Sequence, residues 1–467
     1  MEGKSVEYIK ILFQGLINMG APVFLSIILI IIGLIFRMKF SRAFSAGLTL
    51  GVALVGINLV VDFMINNVGS ASKAFVENTG IQLGALDMGW PPALGLAWTW
   101  EFAFLMFPIQ ILVNLVMLTF RWTDCVNVDM WNVGNKVCTA FLVSYVSGLV
   151  WLGLLFATIQ AILELKNADY TRYRLQKLTS IPGVSMPHPM FLTGIWLYPF
   201  VKLMDKVIPS TVNFDAQKVR EKIGAFGENH IMGFLIGCLI GLFGGYDFKA
   251  TLTLGVQSGA ALTLFPLVAK LFTTALTPIS ESATDFMKNR FKNRTFTIGL
   301  DWPIMAGRSE HWLIMILTIP IVLLYSLILP GNLVLPFGGL MNICLVVPLF
   351  FLTNGNLVKM AIGTILGIPM QLYVASYFAP HFTRLAQSTG GVSAPDNQML
   401  AWFGMDISEL RYIVAEFSQL TPVGIVLFIS TIILSVFYFK GMKKEEEQFK
   451  KELGIEVENT SNGRAIS

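Results

Sequence analysis

The stretch Leu48-Thr49-Leu50-Gly51-Val52 recurs letter for letter as Leu252-Thr253-Leu254-Gly255-Val256. Each copy lies in a long apolar segment and is followed by a Trp-Pro step, at Trp90-Pro91 in the first half and Trp302-Pro303 in the second. Two matches in the same order and at similar spacing predict a chain built from two related halves. In a membrane protein this organisation is typical of transporters, which hold their substrate where the halves meet.

Composition places the chain in a membrane. Of its 467 residues, 54% are apolar and only 13% are charged, whereas soluble domains are about 25% charged. Residues 313–358 contain no charged residue at all. Because a spanning helix needs roughly 20 apolar residues, the composition predicts an all-α polytopic membrane protein that spans the lipid bilayer.

About ten or eleven hydrophobic segments divide the chain, with the fifth interpreted as interfacial because it contains charged residues. They cover residues 21–36, 43–65, 94–120, 137–163, 191–208, 231–244, 251–272, 313–329, 340–352, 360–378 and 423–439.

Charge bias indicates how these segments are oriented, because Lys and Arg stay on the cytoplasmic side. The basic loop at 37–42 precedes the first five-residue repeat, whereas the basic loop at 288–294 follows the second. The two halves are therefore predicted to face opposite ways, with a cytoplasmic C-terminus. We divide the chain into an amphipathic N-terminal segment (1–20), a first membrane half (21–223), an inverted second half (224–440) and a cytoplasmic tail (441–467).

Gly, Pro and Asn interrupt several apolar runs, at residues 87–92, 299–303 and 330–338. Pro removes a backbone donor, and free backbone groups are tolerated at membrane depth only where protein or a polar cavity satisfies them. These interruptions fit hairpin tips that dip into the membrane. For 330–338 a simple turn outside the membrane fits equally well.

Polar side chains near these breaks are candidates for substrate binding. Asp87 and Asp301 precede the two Trp-Pro steps, where a carboxylate beside an indole suits a polyol, although Asp also caps helices. Asn132 shares a helical face with Asp129 and with Asn135, which fits either ligand binding or polar packing between helices. His188 lies between two prolines, as expected for a positioned hydrogen-bonding group.

Several classes are excluded by what the sequence lacks. There is no phosphate-binding loop of the Walker type, no nucleophile elbow and no Gly-rich dinucleotide loop. The four cysteines are scattered without metal-ligand spacing, so we expect no metal and no cofactor. The net charge of +4 is small and lies mostly in loops, which argues against a nucleic-acid partner.

At six motifs the chain resembles the galactitol-type enzyme IIC component of the bacterial phosphoenolpyruvate-dependent phosphotransferase system, in the ascorbate/galactitol superfamily. The resemblance covers nearly the whole chain, from about residue 21 to 439. The motifs are Asp-Met-Gly-Trp-Pro (87–91), Asn-Val-Asp-Met-Trp-Asn (127–132), Gly-Ala-Phe-Gly-Glu (224–228), Gly-Gly-Tyr-Asp-Phe-Lys (244–249), Ile-Gly-Leu-Asp (298–301) and Pro-Gly-Asn-Leu-Val-Leu-Pro-Phe-Gly (330–338).

The resemblance implies a homodimer of inverted-repeat protomers in the bacterial inner (plasma) membrane. Each protomer has a core domain with two re-entrant hairpins and a V-shaped dimerisation domain. A sugar alcohol binds between them and is phosphorylated by a separate IIB subunit, which acts with IIA and carries the phosphoryl group on a cysteine.

Site residues follow from the same resemblance. His188 and Asp301 resemble substrate contacts of the ascorbate relatives, and Asn132 and Asn135 fall where those relatives place polar ligands. The full candidate set is Asp87, Trp90, Asn132, Asn135, His188, Asp301 and Asn332.

Two departures near this site leave the substrate's identity open. Gly339 follows Gly338 where galactitol-type chains read Asp, and Pro189 follows His188 where they read Gly. The predicted function is translocation of galactitol or a related sugar alcohol coupled to its phosphorylation, and the catalytic proton acceptor is not assigned. The alternatives are an ion-coupled secondary transporter of a polyol or sugar, and a membrane sensor without flux.

Overall fold

A computed structural model describes residues 21–71, 74, 78, 80, 83–127, 130–180, 182–214, 224, 228–290, 296–299, 308–340, 343–389 and 398–455. These residues are mostly helical, as the composition predicts. The helices are α1 (Ala21–Ile35), α2 (Phe40–Met64), α3 (Trp90–Trp98), α4 (Met106–Thr119), α5 (Met130–Ser147), α6 (Val150–Thr179), α7 (Gly194–Val207), α8 (Asn229–Phe243), α9 (Phe248–Arg290), α10 (Ser309–Ile328), α11 (Val346–Thr353), α12 (Leu357–Thr389), α13 (Ser408–Ser418) and α14 (Pro422–Glu452).

Three of these helices, α6, α12 and α14, are long and apolar enough to cross a membrane. The pair α3 and α4 would form a fourth span, bent by 95° at its break. The apolar run 137–163, predicted as one segment, is two helices. Gly148 divides them, because its φ of 73° belongs to the left-handed region that glycine adopts readily.

Helices α1, α2, α8 and α9 pack against one another as a four-helix group. The repeated five-residue motif lies in α2 and in α9, in matching environments. Leu50 and Leu254 are both buried. A Cβ on Gly51 would lie 2.5 Å from Ser26 Oγ of α1, and one on Gly255 would lie 2.6 Å from Cys238 Sγ of α8. In each copy the glycine therefore lets a helix hairpin close tightly.

Within the described residues, six short strands form two parallel three-stranded sheets, which the sequence did not predict. The strands are β1 (Ala85–Asp87), β2 (Cys125–Val126), β3 (Val184–Ser185), β4 (Thr297–Gly299), β5 (Val334–Leu335) and β6 (Met399–Ala401). The first sheet has the order β5-β1-β6 and the second has the order β2-β4-β3. Each central strand thus comes from one half of the chain and its two neighbours come from the other half. The two sheets therefore correspond strand by strand: β5, β1 and β6 of the first occupy the same positions as β2, β4 and β3 of the second.

Register and burial explain why such short strands form. Leu86 of β1 pairs with Leu335 of β5 and with Leu400 of β6, and all three are nearly inaccessible to solvent. Buried backbone N–H and C=O groups must be paired. Because the helices are interrupted at these breaks, the backbone groups there form hydrogen bonds between strands from the two halves of the chain.

The predicted breaks fall at these strands. Residues 332–337 are almost entirely buried within the protein, so the protein itself surrounds this turn. Residues 301–307 of the second Trp-Pro step lie outside the described residues, as does the predicted amphipathic segment 1–20. At the other end, α14 runs without a break from Pro422 to Glu452, through the predicted start of the tail at 441.

Candidate polar site at the second sheet

The carboxyl ends of the second sheet gather several of the predicted residues. Its strands are parallel, so the segments that follow them leave from the same edge. His188 lies three residues beyond β3, and α5 with Asn132 begins shortly after β2. In open parallel sheets, ligands commonly bind outside this edge. Asp301 follows β4 but lies outside the described residues.

The Asn132 side chain is a candidate to bind a ligand. It lies on the first turn of α5 and is completely buried. Neither its Oδ1 nor its Nδ2 has a hydrogen-bond partner among the residues that the structure describes. A buried amide without partners costs about 1–3 kcal/mol. A ligand hydroxyl group would supply the missing donor and acceptor together.

Asn135, one turn further along α5, is held by Arg411 of α13. The Arg411 Nη2 donates to the Asn135 carbonyl oxygen at 2.8 Å and to its Oδ1 at 2.9 Å. The Arg411 Nε donates to Thr139 Oγ1 at 2.9 Å. All three residues are buried. The Asn135 side chain therefore fixes α13 against α5.

Lys136, the residue after Asn135 and one turn beyond Asn132, forms a buried ion pair with Glu164 of α6. Both side chains are fully inaccessible to solvent. Lys136 Nζ also donates to the Asn132 carbonyl oxygen at 3.1 Å, and Gln160 Nε2 donates to Glu164 at 2.8 Å. The pair thus anchors the turn of helix that carries Asn132.

His188 begins the 3₁₀ turn Pro189–Thr193 and is 2% exposed. Its Nδ1 accepts a hydrogen bond from the Met190 N–H at 3.3 Å. A neutral imidazole in this arrangement carries its proton on Nε2. Lys136 and Arg411 lie within electrostatic reach of the ring, so His188 belongs to the same buried cluster as Asn132 and Asn135.

Two further carboxylates complete this cluster and were not predicted. Asp406 follows β6 and lies within electrostatic reach of His188. Glu409, in the first turn of α13, lies near Thr193 and Arg411. Both are at least 93% buried, with exposures of 5% and 7%. The sequence indicated Glu409 only weakly because α13 has the pattern of an ordinary amphipathic helix.

Asp87, by contrast, lies in the first sheet and is fully bonded to backbone. As the last residue of β1, it is 0% exposed. One carboxylate oxygen accepts from the N–H groups of Gly89 at 3.0 Å and Phe403 at 2.8 Å. The other accepts from Phe337 at 3.0 Å and Gly339 at 2.7 Å. This geometry favours the capping role over substrate binding, which stays a prediction.

Asn332 and Trp90 also lie near the first sheet, just before β5 and just after β1. The Asn332 Nδ2 donates to the carbonyl oxygens of Ser326 and Val334, both at 2.9 Å, and its Oδ1 accepts from Ser376 Oγ at 3.1 Å. Its amide therefore shapes the turn before β5. Trp90 begins α3, is partly buried and packs against the core. The structure thus assembles Asn132, Asn135 and His188, and places Asp87, Trp90 and Asn332 around the other sheet.

The described part of the chain contains no group of three or more His, Cys, Asp or Glu side chains able to hold a metal ion. A buried cluster of amides, carboxylates, cations and an imidazole suits an uncharged, hydroxyl-rich ligand, since it offers both donors and acceptors.

Comparison with known proteins defines the class to which this fold and site belong. Residues 15–396 match the family EIIC-GAT, described as "PTS system sugar-specific permease component". The chain belongs to this family of membrane permeases.

Individual relatives agree. A protein named "Putative permease IIC component" from Escherichia coli (strain K12) is 32% identical over 448 residues, covering 93% of this chain and all of the relative. The "PTS system galactitol-specific EIIC component" of the same strain is 33% identical over 385 residues, covering 81% of this chain and 85% of the relative. Its counterpart from Escherichia coli O157:H7 has the same identity and coverage. The family resemblance seen in the motifs is thereby confirmed.

Proposed function

We propose that this permease carries galactitol or a related sugar alcohol across the bacterial inner membrane while a separate phosphorylated IIB subunit phosphorylates it. The observation that carries the proposal is the buried cluster at the second sheet, which includes the Asn132 amide, without a hydrogen-bond partner among the described residues. A sugar alcohol is uncharged and presents hydroxyl groups along its length, each able to donate and accept. It therefore matches a site of mixed donors and acceptors better than an ionic substrate does.

The sheets support movement of a single rigid core. Each sheet joins strands from both halves, so the halves cannot separate without breaking buried backbone hydrogen bonds. Neither sheet includes residues of the four-helix group formed by α1, α2, α8 and α9. We therefore infer that translocation moves the sheet-containing core relative to this four-helix group. The strand correspondence and the matching environments of Gly51 and Gly255 support an inverted repeat, and the bent pair α3–α4 supports a re-entrant hairpin.

A homodimer formed by the four-helix group is also part of the proposal. Its exposed faces are apolar, with Leu59 of α2 at 66% and Val256 of α9 at 64% exposed. Light scattering in detergent, corrected for the micelle, should give twice the mass of one chain. A mass of one chain would refute the dimer but would not contradict the transport proposal.

Coupled transport is tested in sealed vesicles that contain the permease, with phosphorylated IIB in the lumen and labelled sugar alcohol outside. For permeases inserted with their cytoplasmic face toward the lumen, we expect phosphorylated sugar to accumulate there. Free sugar in the lumen, independent of IIB, would instead support an ion-coupled secondary transporter. Binding without any flux would support a sensor. Vesicles with unphosphorylated IIB provide the control.

A further inference from the structure

A deep groove lies outside the polar site, between α6 on one side and α13 and α14 on the other. Its volume is about 570 Å³, and most of its wall is formed by aliphatic and aromatic side chains. Gln160 and Arg411 reach its wall. Gln160 Nε2 donates to Glu164 and Arg411 Nη2 donates to Asn135, whereas Gln160 Oε1 and Arg411 Nη1 have no partner among the described residues. A sugar alcohol would lose hydrogen bonds to water against such a surface. The groove is therefore suited to an apolar occupant.

The groove's length matches one leaflet of a bilayer. Phe156 contacts Phe428 near one end, with ring centroids 6.1 Å apart, and Tyr170 contacts Phe439 near the other, also at 6.1 Å. From Phe428 to Phe439, α14 rises about 16 Å, roughly half of the ~30 Å hydrocarbon core. Ile432 and Val436 on the groove's rim are about half exposed, at 52% and 51%, so a lipid chain could enter from the side.

Positive charge lies at one end of the groove. Lys440 and Lys443 line it and are the first charged residues of α14, after an uncharged run from Pro422 to Phe439. They lie three residues apart, on one helical face. Neither forms an ion pair with a described residue, whereas the next carboxylates of α14, Glu445 and Glu446, are paired with basic residues elsewhere.

We propose that this groove binds an anionic phospholipid, with one acyl chain between α6 and α14 and the phosphate at Lys440 and Lys443. The end of an uncharged helical run marks the boundary between hydrocarbon and headgroups, where a lipid phosphate lies. Each lysine near the phosphate should strengthen binding about fivefold. The groove adjoins the polar cluster at Gln160 and Arg411, but the lipid site does not depend on which substrate the permease carries.

Native mass spectrometry of the full chain released from nanodiscs tests this proposal. The nanodiscs contain phosphatidylglycerol and phosphatidylcholine in equal amounts. We expect the wild type to retain phosphatidylglycerol preferentially, and K440Q/K443Q to lose that preference by roughly tenfold or more. The matched control is K450Q/K451Q, which removes two lysines from the same helix outside the groove and should retain the preference.

A second variant tests the groove itself. Ser435 lines the groove, and S435W should fill it and displace both lipids while the protein stays monodisperse and thermally stable. Equal retention of both lipids by the wild type would overturn the proposal. It would also be overturned if K450Q/K451Q lost the preference as fully as K440Q/K443Q, if S435W had no effect, or if the bound mass were that of a free fatty acid.

Discussion

Asn132 and Asn332 are both buried asparagines, and their amides differ in what they bind. The Asn332 amide has protein partners on both its oxygen and its nitrogen, whereas that of Asn132 has none among the described residues. We expect N132A to be at least as stable as the wild type, because it removes a buried amide without partners, and to lose at least tenfold in affinity for the sugar alcohol. N332A should lower the stability by about 1–3 kcal/mol. Calorimetric titration and thermal unfolding in detergent measure the two effects; the reverse pattern would exclude Asn132 as a ligand.

Asp87 should matter for stability, because four backbone N–H groups point at its carboxylate. In D87N the amide nitrogen would face two of these donors. We expect a loss of about 2–3 kcal/mol in unfolding free energy, measured by thermal unfolding. The control is E101Q, because Glu101 is exposed at the nearby break between α3 and α4. A fully stable D87N that fails to bind substrate would return Asp87 to the substrate site.

The buried pair of Lys136 and Glu164 predicts strongly non-additive mutations. K136M leaves the Glu164 carboxylate buried without its cation, which typically costs about 3–5 kcal/mol. The double variant K136M/E164L removes both charges and should recover most of that loss. Thermal unfolding of both single variants and the double variant forms the cycle. Additive losses would mean that the two side chains do not form a pair.

Among the helices, the glycine of the repeated motif is predicted to be required for close packing of α1 against α2. A side chain at Gly51 would collide with Ser26 and with the Pro22 carbonyl oxygen, 2.5 and 2.9 Å from its Cβ. G51L should therefore destabilise the α1–α2 hairpin by about 1–3 kcal/mol or more. The neighbouring V52L should be neutral, because Val52 is 53% exposed. Equal thermal stability of G51L and V52L would contradict the packing.

Helices and their interruptions could be predicted from the sequence because apolar runs and Gly-Pro breaks are local signals. The two sheets could not. Strands of two or three residues carry no measurable alternation, and their partners lie in the other half of the chain. Asp87 illustrates the consequence: its position beside Trp-Pro was visible, but its partners Phe337 and Phe403 come from distant segments.

The ion pair within the site was missed for a similar reason. Lys136 and Glu164 flank the run 137–163, so they looked like the two ends of one span. The turn at Gly148 folds that run into two helices and brings its ends together. The predicted Asn132, Asn135 and His188 do converge. The roles of Arg411 and Glu409 depended on how α13 packs, which the sequence does not determine locally.

On the largest scale, the exchange of strands between the halves supports the proposed division of the chain into a moving core and a static four-helix group. The sheets join residues as distant as Asp87 and Ala401, so we expect the core to move as one body. The four-helix group carries the repeated motif and the exposed apolar surface. In the proposed mechanism, substrate access depends on the interface between these two bodies, and the polar cluster at the second sheet should be exposed alternately to each side of the membrane.

The central claim is that the sugar alcohol binds in the polar cluster at the second sheet. A cryo-electron microscopy structure of the permease with bound galactitol, or with the hexitol that binds most tightly, tests it most directly. We predict ligand density within hydrogen-bonding distance of the Asn132 amide and close to His188. Density at the first sheet beside Asp87, with the Asn132 amide still without a ligand, would contradict the account.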